Sequence, residues 1–237
     1  MLEFETSISE IIQRTHNVKS FRFKTVSGAV FKPGQFFFVT IKINNQERTK
    51  HFSFSNSPTE KEYIEFTKRI TISDFSNALN NLKTGDWARL KMPYGSFTFE
   101  GEYKKIAFIS GGIGITPIRS MCKFIADTGI STDIALLYGN NLEEDIIFKG
   151  DLDRMALANK NIRIVYTLTD PGVDAQSWRG RTGLIDEAMI KREISDYKER
   201  IFYLCGPPKM VEGLSDILKS RLKVNEDNIK TENFTGY

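Results

Sequence analysis

Cysteine is scarce in this chain: Cys122 and Cys205 are the only 2 among 237 residues. Two thiols cannot hold a four-thiolate iron–sulfur cluster, and their wide separation offers no metal-ligand spacing. Charge of one sign is lacking as well. Lys and Arg total 33 against 30 Asp and Glu, a formal net charge of +3, which argues against a nucleic-acid-binding face. No apolar run reaches the length that spans a bilayer. The opening Met1-Leu2-Glu3-Phe4-Glu5 lacks a secretory signal pattern, and without a disulfide framework a reducing, cytoplasmic setting is expected. Phenylalanine, by contrast, is plentiful at 18, which suits a packed β core.

The most informative stretch lies just before the midpoint. Ile106–Ile109 reads as a buried strand, breaking into Ser110-Gly111-Gly112-Ile113-Gly114-Ile115 before Thr116-Pro117 opens a helix. Thr116 suits an N-cap and Pro117 the first helical position, where no backbone donor is lost. Glycines let backbone N–H groups approach a phosphate, and the helix N-terminus adds partial positive charge. The stretch is a candidate pyrophosphate cradle. It also fits a plain strand-to-helix turn, so the remainder of the chain must decide.

Before it, short strands are expected at Phe4–Ile12, Val18–Thr25, Gln35–Ile43, His51–Ser55, Tyr63–Lys68 and Trp87–Leu90, several alternating apolar with polar residues. Turn signals separate them, such as Lys32-Pro33-Gly34 and Asn44-Asn45. Met92-Pro93-Tyr94-Gly95-Ser96-Phe97 reads as a tight connection before a final strand. The pattern predicts an antiparallel barrel. Within it, Ser73 to Leu82 reads as a short helix capped by Ser73, with Ser76 and Asn77 in the first turn, a second candidate anion site.

After Lys104 strands alternate with helices. Strands are expected at Ile106–Ile109, Asp133–Tyr138, Ile162–Thr167 and Ile201–Cys205, and helices at Pro117–Thr128, Asp145–Ala158, Ile185–Ser195 and Lys209–Leu222. Repeated βαβ units imply a parallel sheet covered on both faces, with ligands outside the carboxyl ends of its strands. The expected division is a six-stranded antiparallel β-barrel over residues 1–102 and a Rossmann-like parallel α/β unit over 103–237.

In this order the pieces resemble the ferredoxin–NADP(+) reductase family of flavoenzymes across essentially the whole chain. Lys50-His51-Phe52-Ser53 resembles the family's flavin motif of arginine, any residue, tyrosine, then serine or threonine. The resemblance implies that Phe52 stacks on the isoalloxazine, Ser53 lies near flavin N5, and Lys50 meets the flavin phosphate, with Arg48 an alternative for that last role. Phenylalanine for tyrosine keeps the stacking face but loses a hydroxyl. Lysine for arginine keeps charge but loses the planar fork. Phe66-Thr67-Lys68 matches the strand that runs beside the flavin. Ser73-Asp74-Phe75-Ser76 resembles the family's second flavin motif, glycine, two residues, then serine or threonine, with Ser73 in place of the glycine. It implies that Phe75, Ser76 and Asn77 present a helix N-terminus to the pyrophosphate of FAD.

The same resemblance makes Gly112, Gly114, Thr116 and Pro117 a pyridine-dinucleotide turn. It sets Cys205, with Gly206 and Pro207, beside the nicotinamide. Cys205 also reads as a buried strand-end thiol, or as a nucleophile for which neither histidine is an obvious base. Glu232-Asn233-Phe234 resembles the family's closing glutamate and aromatic. Glu232 would orient or relay protons near the flavin, and either Phe234 or Tyr237 would cover its face. The implied catalytic residues are Ser53, Cys205 and Glu232, the implied cofactors FAD with NADPH or NADH, and no metal is implied.

The implied activity is hydride transfer between NAD(P)H and FAD, with electrons passed to a carrier such as ferredoxin or flavodoxin. The alternative is an electron-transfer subunit of a larger reductase or oxygenase complex. A flavin-binding sensor would instead hold flavin without oxidising nucleotide. The loop Glu143-Glu144-Asp145 disfavours a 2′-phosphate, whereas Arg179 and Arg181 would welcome one.

Overall fold

A computed structural model of the chain describes residues 1–174 and 176–234. Its first half contains β1 (Leu2–Thr15), β2 (Val18–Lys24), β3 (Phe36–Ile43), β4 (Gln46–Ser53), β5 (Tyr63–Arg69), helix α1 (Asp74–Asn81) and β6 (Trp87–Tyr94). The strands form one antiparallel sheet in the order β4-β3-β6-β1-β2-β5. Strand β1 is long enough to serve two neighbours: Leu2–Ser7 pair with β6, and Ile8–Thr15 with β2. Register shifts between Ile8 and Glu10 and between Gln13 and Thr15 bend it. The sheet therefore curls, and its two ends meet where the Ser55 amide donates to the Glu65 carbonyl at 2.9 Å. Phe21, Phe23, Phe37, Phe54 and Phe66 fill the interior, as the phenylalanine count anticipated.

Two expectations for this half need correction. Strand β4 begins at Gln46 rather than His51, because Asn44 and Asn45 take positive φ values of 50° and 61° and close a two-residue hairpin. Its first five residues are polar and exposed, so they carry no alternation to read. The strand expected after Phe97 is absent. Phe97 and Phe99 turn instead onto Tyr203 of the second half, whose hydroxyl donates to the Thr98 carbonyl at 2.9 Å.

The second half runs β7 (Lys105–Gly111), a 3-10 turn over Gly112–Gly114, α2 (Ile115–Thr128), β8 (Asp133–Asn140), α3 (Lys149–Ala158), β9 (Ile162–Leu168), β10 (Arg181–Thr182), α4 (Glu187–Glu193), β11 (Ile201–Gly206), α5 (Pro208–Asp216) and β12 (Ile229–Asn233). All its strands are parallel, in the order β10-β9-β8-β7-β11-β12. Helices α2 and α3 pack on one face and α4 and α5 on the other. The chain reverses its direction of growth between β7 and β11, which places a crevice at the carboxyl ends of those two strands. The helix expected from Asp145 starts only at Lys149, because Ile146, Ile147 and Phe148 are drawn into the core. The last helix stops at Asp216 and continues as a π-helical turn, Ile217–Arg221. No helix among the described residues is long and apolar enough to cross a membrane.

Candidate functional site

A groove of about 930 Å³ opens between the two halves. Its barrel wall is built by the ends of β4 and β5 and the start of α1. Its other wall is Ile113 and Thr116 from the glycine turn and Glu232, Asn233 and Phe234 from β12 and beyond. Strand β4 is the sheet's edge, and Arg48, Lys50 and Phe52 line the groove.

Phe52 lies flat against the buried ring of Phe66, centroids 4.3 Å apart and planes 16° off parallel. This backing holds one aromatic face towards the groove. Ser53 and Thr67 flank it, and the Thr67 hydroxyl is fixed by Ser55 Oγ at 2.9 Å and Ser20 Oγ at 2.7 Å. His51 lines the groove while its ring packs near Phe36, 5.2 Å between centroids. Lys50, Arg48 and Lys68 make the wall basic. Burial first, then the nearby Lys50 charge, hold the Lys68 ammonium below the usual lysine range.

Ser73 does cap α1, accepting from the Ser76 amide at 3.3 Å. Ser73, Asp74 and Phe75 line the groove. Ser76 is fully buried and its hydroxyl meets Thr71 Oγ1 at 3.0 Å. Asn77 is exposed and donates to the Ile72 carbonyl at 3.3 Å. Neither of these two is among the groove-lining residues.

The expectation that Thr116 caps α2 with Pro117 next to it is overturned. The 3-10 turn over Gly112–Gly114 feeds straight into the helix, Gly114 occupies the cap position, and the Thr116 hydroxyl bonds back to the Ile113 carbonyl at 3.3 Å. The turn is tight for a visible reason. A Cβ on Gly114 would sit 2.4 Å from the Cys205 carbonyl oxygen, so only glycine lets α2 start against the end of β11. Gly112 has φ +53°, and its carbonyl accepts from the Tyr138 hydroxyl at 2.9 Å.

Cys205 is fully buried at the end of β11, paired in register with Glu232 of β12. Burial first, then the Glu232 charge, push its thiol well above the ordinary range. Cys205, Gly206 and Pro207 are not among the groove-lining residues; the first two are buried and Pro207 is exposed. Glu232 does face the groove, and burial raises its carboxyl to about 7. Phe234 reaches the groove and its amide donates to the Gly206 carbonyl at 3.0 Å. Tyr237 lies outside the described residues.

Three buried polar atoms near this crevice have no hydrogen-bond partner among the described residues: Glu232 Oε2, Ser110 Oγ at the end of β7, and Arg69 Nε at the end of β5. The Arg69 Nη2 lies 3.5 Å from where a Gly112 Cβ would be. Unpaired donors and acceptors gathered beside a glycine turn, a basic wall and a flat aromatic form a donor set that fits a dinucleotide and a flavin. Not foreseen from the sequence are Arg69, whose signal is a second basic residue after Lys68, Asn44, which reads there only as part of a turn, and the β4 residues Gln46 and Thr49.

The oxidoreductase FAD-binding domain model matches residues 5–99, and the oxidoreductase NAD-binding domain model matches residues 108–216. The chain is 30% identical over 217 residues to NADH-cytochrome b5 reductase 2 of Lodderomyces elongisporus, covering 86% of this chain and 70% of that protein. It is 28% identical over 216 residues to the glycine betaine monooxygenase reductase subunit of Chromohalobacter salexigens, covering 89% of this chain and 59% of the relative. The chain thus spans about three-fifths of the length of such subunits. Among solved structures, the ferredoxin reductase in carbazole 1,9a-dioxygenase superposes with a TM-score of 0.82 at 25% identity, covering 98% of this chain and 69% of that one. A ferredoxin NADP+ reductase from Neisseria gonorrhoeae with bound FAD and NADP shares the fold, with a TM-score of 0.80 at 20% identity and 98% of each chain covered.

Proposed function

The chain belongs to the ferredoxin–NADP(+) reductase-type family of FAD- and NAD-binding oxidoreductases, and on that premise we propose that it draws a hydride from a nicotinamide dinucleotide and passes electrons to a redox carrier protein. Residues 1–102 serve as the flavin unit and 103–237 as the dinucleotide unit. The observation that carries this reading is the groove shared by both halves, with Phe52 on one wall and Thr116 and Glu232 on the other. Bound FAD supplies the chemistry, accepting electrons as a pair and releasing them singly.

The protein supplies place and charge. Phe52, backed by Phe66, offers a flat apolar face. Ser53 lies at its edge, where a hydroxyl can bond to a ring nitrogen. Lys50, Arg48 and Lys68 draw phosphates into the groove. The Gly112–Gly114 turn and the start of α2 hold the dinucleotide pyrophosphate, and Thr116 orients its nicotinamide end at reacting distance. Near neutral pH the Glu232 carboxyl holds a proton that it can give or take within the groove. Cys205, buried beside Glu232, supports the strand end from which that carboxyl reaches the groove.

NADH is the favoured dinucleotide. The loop after β8 presents Glu143, Glu144 and Asp145, and Arg181 is held by Glu193, donating from Nε to Oε1 at 2.8 Å. The carrier is a ferredoxin, a flavodoxin or a partner subunit. The subunit reading draws support from the reductase subunits that this chain resembles over part of their length. Absorbance spectra of the purified protein, taken before and after anaerobic NADH and then NADPH, test the proposal. Flavin bands bleached faster by NADH are the expected result. Flavin bands that neither nucleotide bleaches would replace it with a sensor role.

A further inference from the structure

One charged side chain in the core joins the two walls. Arg119 of α2 is only 4% exposed. Its Nη1 donates to the Ser55 carbonyl at 3.0 Å, and its Nη2 donates to Glu60 Oε1 at 3.1 Å and to Asp151 Oδ2 at 3.0 Å. Nη1 also meets Glu60 Oε2, so the carboxylate is gripped by both prongs of the fork. The guanidinium sits 5.5 Å from the Phe148 ring centroid. Ser55 and Glu60 belong to the barrel loop after β4; Asp151 and Phe148 belong to the α/β half. The neighbouring Ser120 hydroxyl adds a bond to the Asn56 carbonyl at 2.7 Å.

Both ends of this junction are stiff. Asn56 is locked to β5, its Nδ2 donating to the Tyr63 carbonyl at 2.8 Å and its Oδ1 accepting from the Glu65 amide at 2.9 Å. On the other side Arg119 stands one helical turn beyond Thr116, on a helix whose start is pressed against β11. Ser55 lies two residues past Ser53, and Arg119 three past Thr116. The guanidinium is therefore a short bridge between the two groups that face each other across the groove.

We propose that Arg119 is a positioning residue for hydride transfer: by clamping the Ser55–Glu60 loop to α2 it sets the separation between the flavin wall at Phe52-Ser53 and the dinucleotide wall at Thr116. This inference rests on the function proposed above. Its physical core is the planar fork, which serves three acceptors on two elements at once; a lysine is a point charge on a flexible stem and cannot hold that geometry. A displacement of about 1 Å between reacting groups costs on the order of 100-fold in rate.

The test uses the full-length protein with FAD, and compares wild type with Arg119→Lys, Arg119→Gln and the milder Ser120→Ala. Circular dichroism, flavin content and bleaching by dithionite report whether fold and flavin site are intact. Stopped-flow bleaching by NADH over a concentration series separates the limiting rate from half-saturation. The expected result is flavin bound and dithionite-reducible in every folded variant, with the limiting rate lowered about 10- to 100-fold in Arg119→Gln and less in Arg119→Lys. Ser120→Ala is lowered about threefold, and half-saturation moves far less than the rate. An Arg119→Gln protein that bleaches at the wild-type rate overturns the proposal. So does a fall no larger than the lost fraction of folded, flavin-loaded protein. If neither Arg119 variant folds, an unchanged limiting rate in Ser120→Ala overturns it and a lowered rate supports it. Wild type that holds flavin but is not bleached by NADH fails the proposed function itself, and the clamp falls with it.

Discussion

Cys205 and Glu232 face each other in register on the adjacent parallel strands β11 and β12, and they share an environment that favours their neutral forms. The carboxyl reaches the groove and the thiol does not. The paired ends of these two strands thus hold, side by side, a group that titrates near neutrality and a second that stays protonated.

Glu232 gives a signed pH dependence. Burial raises its carboxyl to about 7, above its value in the unfolded chain, so the folded state binds the extra proton. Its contribution to stability is complete below the unfolded value near 4.5 and is lost as pH rises through about 7. Thermal melts between pH 5 and pH 8 should therefore show wild type losing stability relative to Glu232→Gln as pH rises, by up to roughly 3 kcal/mol over the window. Parallel curves for the two proteins would refute the shift.

Both thiols should resist modification. Cys122 and Cys205 are fully buried, and burial raises the first to about 12 and the second well above its ordinary range. A disulfide-exchange reagent at pH 8 should label neither in the native protein and both after unfolding. Rapid native labelling of Cys205 would instead support the nucleophile reading.

Phe52 should matter by shape. Replacing it with alanine removes the stacking face and leaves Phe66 exposed to the groove, and FAD affinity should fall about tenfold or more. Phe52→Tyr keeps the ring and should bind nearly as wild type. Quenching of flavin fluorescence on titration measures both, and equal affinities in all three proteins would remove Phe52 from the flavin wall.

Two glycines make opposite predictions. Gly114→Ala drives a methyl to 2.4 Å from the Cys205 carbonyl oxygen, which forces the helix start away from β11. A loss of about 1–3 kcal/mol is expected, together with a weakened response to NADH. Gly213→Ala, inside α5 with open space around it, should stabilise by about 0.5–1 kcal/mol. Denaturant midpoints with unchanged slopes would report both.

Much of this was readable from residues alone. Strands β7, β8 and β11 announced themselves by an apolar run ending at glycine, and Phe52, Ser53, Thr116, Glu232 and Phe234 all reach one groove. What escaped depends on partners distant in the chain. Nothing local to Arg119 tells that Glu60 will meet it, and a charged residue on a helix reads as solvated until tertiary packing buries it. Thr116 looked like a cap because the sequence does not reveal that a 3-10 turn starts the helix earlier. Ser76 carries the expected hydroxyl, yet Thr71 holds it inside, since the helix is capped from Ser73.

The exposed edge strand β4 has a further meaning for how the protein lasts. It is the last strand in its sheet and all but its final two residues are exposed, so one rail of its backbone has no strand neighbour among the described residues. Glu47, Arg48 and Lys50 ward off pairing with another molecule, and β3, alone among the described strands, pairs with it, helped by the Thr40–Thr49 hydroxyl bond and the Arg89–Glu47 ion pair. Its amides should exchange with solvent sooner than those of the sheet interior. A cofactor seated there fastens the rim that is quickest to fray, so the holoprotein's lifetime against proteases should track how full its flavin site is kept.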